Sequence, residues 1–196
     1  YLDDALTQAG FMTARSPGPT HLAEEAWLIA TAGMTSRAIG QLDRTIRLYP
    51  EHYNAYWRRF NILALHGDLA QAEIALGLAR EGVAPGKKEK LSQCWERYLL
   101  ARLGRIAKDG ALTDETCLGE MHDFRARLHG ALGQVDEALT YSALALEEGR
   151  QDNGRGMTIH LFYPEMAEVR RDPRFWTLVD GVGLVDFWRD YGRWPD

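Results

Sequence analysis

Apolar residues recur along this chain at helical spacing, and alternating strand-like runs are nearly absent. Leu2, Ala5, Leu6, Ala9 and Met12 form a first stripe, stopped by Ser16-Pro17-Gly18-Pro19. A helix is predicted from about His21 to Ala32, and another carries Ala38, Leu42, Ile46 and Tyr49 up to Pro50. The next pair covers about 54–66 and 69–81, closed by Gly82, Pro85 and Gly86. The stripe Leu91, Cys94, Trp95, Tyr98, Leu99, Leu103 and Ile106 predicts a long helix ended by Lys108-Asp109-Gly110, with Thr113 or Asp114 capping its successor. A last pair places Met121, Phe124, Leu128 and Leu132 on one helix and residues 135–148 on the other.

Three phrases organise this pattern. Gly33, Gly67 and Gly133 each stand five residues before an alanine, Ala38, Ala72 and Ala138, that opens an apolar stripe. The glycines are 34 and 66 residues apart, a single and a double step of stacked helix-turn-helix repeats. The double step predicts one degenerate unit near residue 100. Ala38 and Pro50 are 12 apart, as are Ala5 and Pro17, so residues 1–17 are expected to be the second helix of a repeat cut at the start. The chain opens at Tyr1 with no initiator Met and is read as a fragment.

The turn-rich Gln151-Asp-Asn-Gly-Arg-Gly156 sets the expected boundary between a helical repeat region, 1–150, and a C-terminal aromatic segment, 151–196. In that segment Asp172-Pro173 is a helix start, with Asp as the cap and Pro where its missing N–H costs nothing. Phe175, Trp176, Leu178 and Val179 follow before Gly181, and Leu184, Phe187, Trp188 and Tyr191 before Gly192. The last repeat of a solenoid leaves an apolar flank uncovered. This aromatic segment is expected to cap it.

The glycine–alanine phrases and closing prolines resemble the tetratricopeptide repeat family over roughly residues 20–150. The signature Trp, Leu and Gly of its first helix are replaced by Leu22, Glu25 and Ala26, then by Tyr56, Arg59 and Phe60. The tail, Arg170-Arg-Asp-Pro-Arg-Phe175, Gly183-Leu, Phe187-Trp188 and Gly192-Arg-Trp-Pro-Asp196, is similar to the C-terminus of tetratricopeptide regions in bacterial winged-helix transcriptional regulators and nucleotidyl cyclases. These resemblances imply an all-α helical-hairpin solenoid that binds a protein or peptide as the regulatory or sensory region of a bacterial signalling protein.

They also imply a groove lined by the first helix of each pair. Trp27, Ala30 and Thr31 would come from one repeat, Asn54, Trp57, Asn61 and Leu65 from the next, and Glu120, Asp123 and Arg127 from the later unit. Trp27 and Trp57 are the expected aromatic anchors, with Asn54 and Asn61 binding peptide main chain. Asn61 falls where carboxylate-gripping members place an Asn, although their partner lysines have no counterpart here. The competing reading packs both tryptophans between helices and leaves the asparagines solvated. A structural or homodimerisation module without a peptide ligand is the alternative function.

Composition narrows the rest. Of 196 residues 45% are hydrophobic, and the net charge is −5 without a basic stripe, so direct nucleic-acid binding by this chain is not expected. No apolar run reaches the roughly 20 residues of a membrane span. No secretory signal is visible, which favours the cytoplasm and leaves the periplasm open. Cys94 and Cys117, 23 apart, match neither a disulfide framework nor a zinc signature and are expected to be two buried reduced thiols. His122 and His129 are seven apart and lack further ligands, so no metal is expected; nor is any cofactor. No nucleophile motif or phosphate loop occurs, and an enzyme is not expected. Lys87-Lys88-Glu89-Lys90 reads as a solvated surface.

Overall fold

The computed structural model describes residues 18–81, 89–117, 121–151 and 158–192, together with Thr7, Gly10, Ala14 and Arg15. The described residues hold α-helices and short 3₁₀ turns and no strand, so the chain is all-α. The stripe positions Leu2 to Met12, the breakers Gly82, Pro85 and Gly86, the pair Lys87-Lys88, and most of the 151–156 turn lie outside them. No helix among the described residues is long and apolar enough to cross a membrane.

The chain divides into two compact units, Tyr1–Leu118 and Gly119–Asp196. The first contains α1 (Pro19–Thr31), α2 (Thr35–Leu48), α3 (Tyr53–His66), α4 (Leu69–Glu81) and α5 (Glu89–Arg102). Pro19 at the first helical position starts α1 two residues before the expected His21, because its ring presets φ and lacks only an orphan N–H. Short turns fold α2 back on α1 and α4 back on α3, and the two pairs meet through α1–α3 and α2–α3 contacts. Ala38 and Ala72 are fully buried in these seams, where a methyl group lets helices approach closely. Phe60, Trp95 and Tyr98 continue the core from α3 into α5 as edge-to-face pairs at 5.4 and 5.8 Å.

Two of the three phrase glycines close helices as expected. Gly33 and Gly133 sit at φ +79° and +78°, and the next residue's N–H reaches back to Ile29 O and His129 O. That is the Schellman closure, which needs a left-handed residue. Gly67 differs: its φ is −120°, and Asp68 instead caps α4 by accepting from the Ala70 N–H at 2.8 Å. The missing left-handed cap appears at Gly104, φ +69°, with the Arg105 N–H on Leu100 O at 2.9 Å. α5 therefore ends at Arg102, and Leu103 and Ile106 fall outside the helix that the stripe predicted. Thr113 caps only a turn through Cys117, not a further helix.

The second unit contains α6 (His122–Leu132), α7 (Val135–Gln151), 3₁₀ turns at Thr158–Phe162 and Pro164–Met166, α8 (Ala167–Arg171), α9 (Pro173–Asp180) and α10 (Leu184–Tyr191). The turns and α8 carry no clear stripe and were not anticipated. Asp172 caps α9, its carboxylate accepting from the Arg174 N–H at 2.9 Å. Leu161, Met166, Val169, Phe175, Val179 and Trp188 share one core with Ala126, Ala138, Leu139 and Leu146 of α6 and α7. The described core residues of the tail thus belong to the same core as α6 and α7. The division of the chain falls after residue 118, not at the expected 150, because the aromatic tail is the other half of the α6–α7 core.

Candidate functional site

Two contacts among α1, α3 and α5 of the first unit join residues 34 positions apart in the chain. Arg58 on α3 grips Glu24 on α1 with Nη2 at 2.7 and 3.0 Å from its two carboxylate oxygens, 34 residues back in the chain. Tyr98 OH on α5 donates to Ala64 O on α3 at 3.2 Å, again at a separation of 34. α3 therefore contacts both α1 and α5. This is the row on which the expected groove residues stand.

Their burial splits them. Trp27 is 6% exposed and carries the Arg58 guanidinium 4.8 Å over its ring, so its face is already taken by a cation. Ala30 and Leu65 are buried too. Trp57, half-buried, packs edge-on against Phe60 at 5.6 Å. Asn54 is half-buried on the same helix. Asn61 is 7% exposed, which departs from the solvated asparagine of the competing reading. The Trp57 ring nitrogen and Asn61 Oδ1 are both buried, and neither finds a hydrogen-bond partner among the described residues. Such groups are uncommon in folded proteins because an unmet donor or acceptor costs about 1–3 kcal/mol.

In the second unit the expected groove residues serve the core instead. Glu120 lies outside the described residues. Arg127 is 1% exposed and meets Glu165, equally buried, at 2.5 Å, while its guanidinium lies 4.2 Å over the Tyr163 ring. Asp123 is buried in the first turn of α6. Arg127 is therefore not available to a ligand. It ties α6 to the 3₁₀ turn that carries Glu165.

The motif residues of the tail are likewise absorbed by packing. Arg170 donates to the carbonyls of Leu161 and Tyr163 at 3.1 and 2.9 Å, and Phe175 and Trp188 are core residues. Asp172 is held down to a pKa of about 2, chiefly by hydrogen bonds from the Arg174 side chain and backbone. Arg170, Phe175 and Trp188 of the tail motif thus fasten the tail, while Phe187 is exposed and residues 193–196 lie outside the described residues.

A further cluster in this unit joins His122 and His129 to residues of the neighbouring helix, which their spacing alone does not show. Tyr141 of α7 is stacked on His129 at 5.2 Å and His122 at 5.9 Å, while Arg125 lies 3.9 Å over its ring and donates to its hydroxyl. His122 Nδ1 is 2.8 Å from a Glu148 carboxylate oxygen, and His129 Nδ1 is 2.9 Å from Gln134 Oε1. Burial pushes the His129 pKa down. Among the described residues no three His, Cys, Asp or Glu side chains converge as a metal site would need.

Concave surface also exists away from the expected groove. A cleft of about 210 Å³ between α2, α3 and α4 is lined by Ile46, Tyr56, Ile74 and Leu78, with the Arg59–Asp43 ion pair at its edge. Ile74 and Leu78 are 67% and 46% exposed. In the second unit, α7 and α9 flank a cleft of about 550 Å³, crossed by the Arg174–Asp136 ion pair at 2.6 Å.

The two cysteines correct the expectation of free thiols. Cys94 and Cys117 are joined in a disulfide inside the first unit, both essentially inaccessible. The spacing of 23 carries no signal of this, because the bond depends on a non-helical return after Gly104 that brings their Cα atoms to 4.6 Å. No family model, curated protein or solved structure matches this chain.

Proposed function

We propose that the first unit is a tetratricopeptide-like stack of helical hairpins that binds an extended peptide or protein segment along α1 and α3. The 34-residue offset of the Arg58–Glu24 and Tyr98–Ala64 contacts supports the stacked arrangement. The observation that carries the binding reading is the unmet donor of Trp57 and the unmet acceptor of Asn61, four residues apart on one face of α3. A peptide group offers the complementary pair, a carbonyl and an N–H. Both atoms are covered in this structure, so a ligand engages them by turning the Trp57 ring outward from Phe60. Trp27 then contributes by seating Arg58, not as an open anchor. The tail resemblance is the support for reading such a module as the regulatory or sensory region of a bacterial signalling protein. No catalytic chemistry is part of this reading.

The exposed Ile74 and Leu78 favour a second reading, pairing of two copies through α4. One pull-down separates the two. Trp57→Ala is expected to lose at least tenfold in capture of a partner by the full chain, while melting within a few degrees of wild type. Retained capture sinks the groove. Light scattering showing a monomer at high concentration removes the pairing through α4.

A further inference from the structure

The stretch after α5 abandons the helical rhythm. From Leu103 to Cys117 the residues form turns and no helix. Only Ala111, Leu112 and Cys117 are buried there. So little apolar burial does not by itself offset the entropy of ordering such a segment. Three ties hold it. Arg97 Nε on α5 donates to Ala111 O at 2.8 Å, Thr113 and Thr116 satisfy each other's N–H groups, and Cys117 is bonded to Cys94 of α5. The covalent tie closes a sequence separation of 23. Closing a loop of that size removes a large part of the freedom of the unfolded segment.

We infer that this unit folds in an oxidising compartment, where a thiol–disulfide oxidoreductase makes the Cys94–Cys117 bridge a permanent staple. In the step, both thiols lose their protons and together two electrons, and one S–S bond forms. The oxidoreductase's own disulfide takes the electrons and becomes two thiols. The bridge stands where a second helix would close over α5 if the hairpin pattern continued. It is a staple and not a switch, because exchange needs a thiolate to reach a sulfur, and Cys94 and Cys117 are 0% and 1% exposed. In a reducing cytosol the same pair stays as thiols and the loop loses its strongest tie. This argument does not involve the proposed groove. It moves the unit away from the expected cytoplasm.

The test reads the thiols where the protein is made. Cells of its source are quenched in acid, and free thiols are tagged with a mass-adding maleimide in denaturant before immunoblotting. The expected chain takes no tag until it is reduced, and then two. Two tags before reduction overturn the compartment. Purified chain is then melted oxidised and reduced, beside a Cys94→Ala/Cys117→Ala double variant. The reduced chain and the variant are expected to melt roughly 5–15 °C lower. Failure of either to fold is the same loss carried further, whereas melting equal to the oxidised chain overturns the staple.

Discussion

His129 shows how burial changes the chemistry of a residue that looks unremarkable in the sequence. It is 3% exposed, stacked on Tyr141, with the charges of Glu137 on α7 and Arg125 on its own helix acting on it and His122 across the same tyrosine. Desolvation keeps it neutral, so its folded pKa lies below its ordinary value of 6.5. The unfolded chain therefore binds the proton more readily, and stability rises with pH through the window below 6.5. The contribution is complete above that value and is lost as pH falls from about 6.5 towards the folded pKa. His129→Gln is expected to flatten the fall of melting temperature between pH 7 and pH 5, read by circular dichroism. An unchanged pH slope would refute a neutral buried His129. Arg127 and Glu165 illustrate the same lesson with charge. Removing either partner strands the other in the core at a cost of about 3–5 kcal/mol. Nothing in the spacing of 38 residues announces that pair.

Helix termini were the most legible elements, because caps act within one turn. Asp172-Pro173, Gly33, Gly133 and Gly192 do what their residue types suggest. Gly67 stays extended, and Gly104, inside the stretch predicted as helix, takes the left-handed cap instead, since a glycine permits such a cap without requiring one. Long-range seams were less legible. Gly130 lies mid-helix in α6, where a propensity argument would simply count it as a cost. In the structure an added Cβ there would meet Met166 Sδ at 2.7 Å and Glu165 O at 3.0 Å. Gly130→Ala is therefore expected to destabilise by about 1–3 kcal/mol despite the better helix propensity of alanine. Chemical denaturation measures it, and a stabilised variant would show that the turn at 164–166 shifts freely.

At the scale of the whole molecule the two units rest on separate cores. The first is built on alanine-rich seams and an aromatic row, the second on α6 and α7 closed by the tail. A chain ending at residue 151 leaves Ala126, Leu139 and Leu146 without the tail side chains that cover them. It is expected to lose the helicity of α6 and α7 or to aggregate, read by circular dichroism and size-exclusion chromatography. A monomer melting like the full chain would restore the boundary at 150. The sequence alone determined that the chain is helical, where most helices start and stop, and which alanines face the seams. Those features depend on neighbours within a few residues, whose spacing is visible. Only the tertiary structure decided that Cys94 meets Cys117, that Arg127 faces Glu165 and that the tail belongs to α6 and α7. Each of these joins residues far apart in the chain, where the path of the backbone between them, not their identity, sets the distance.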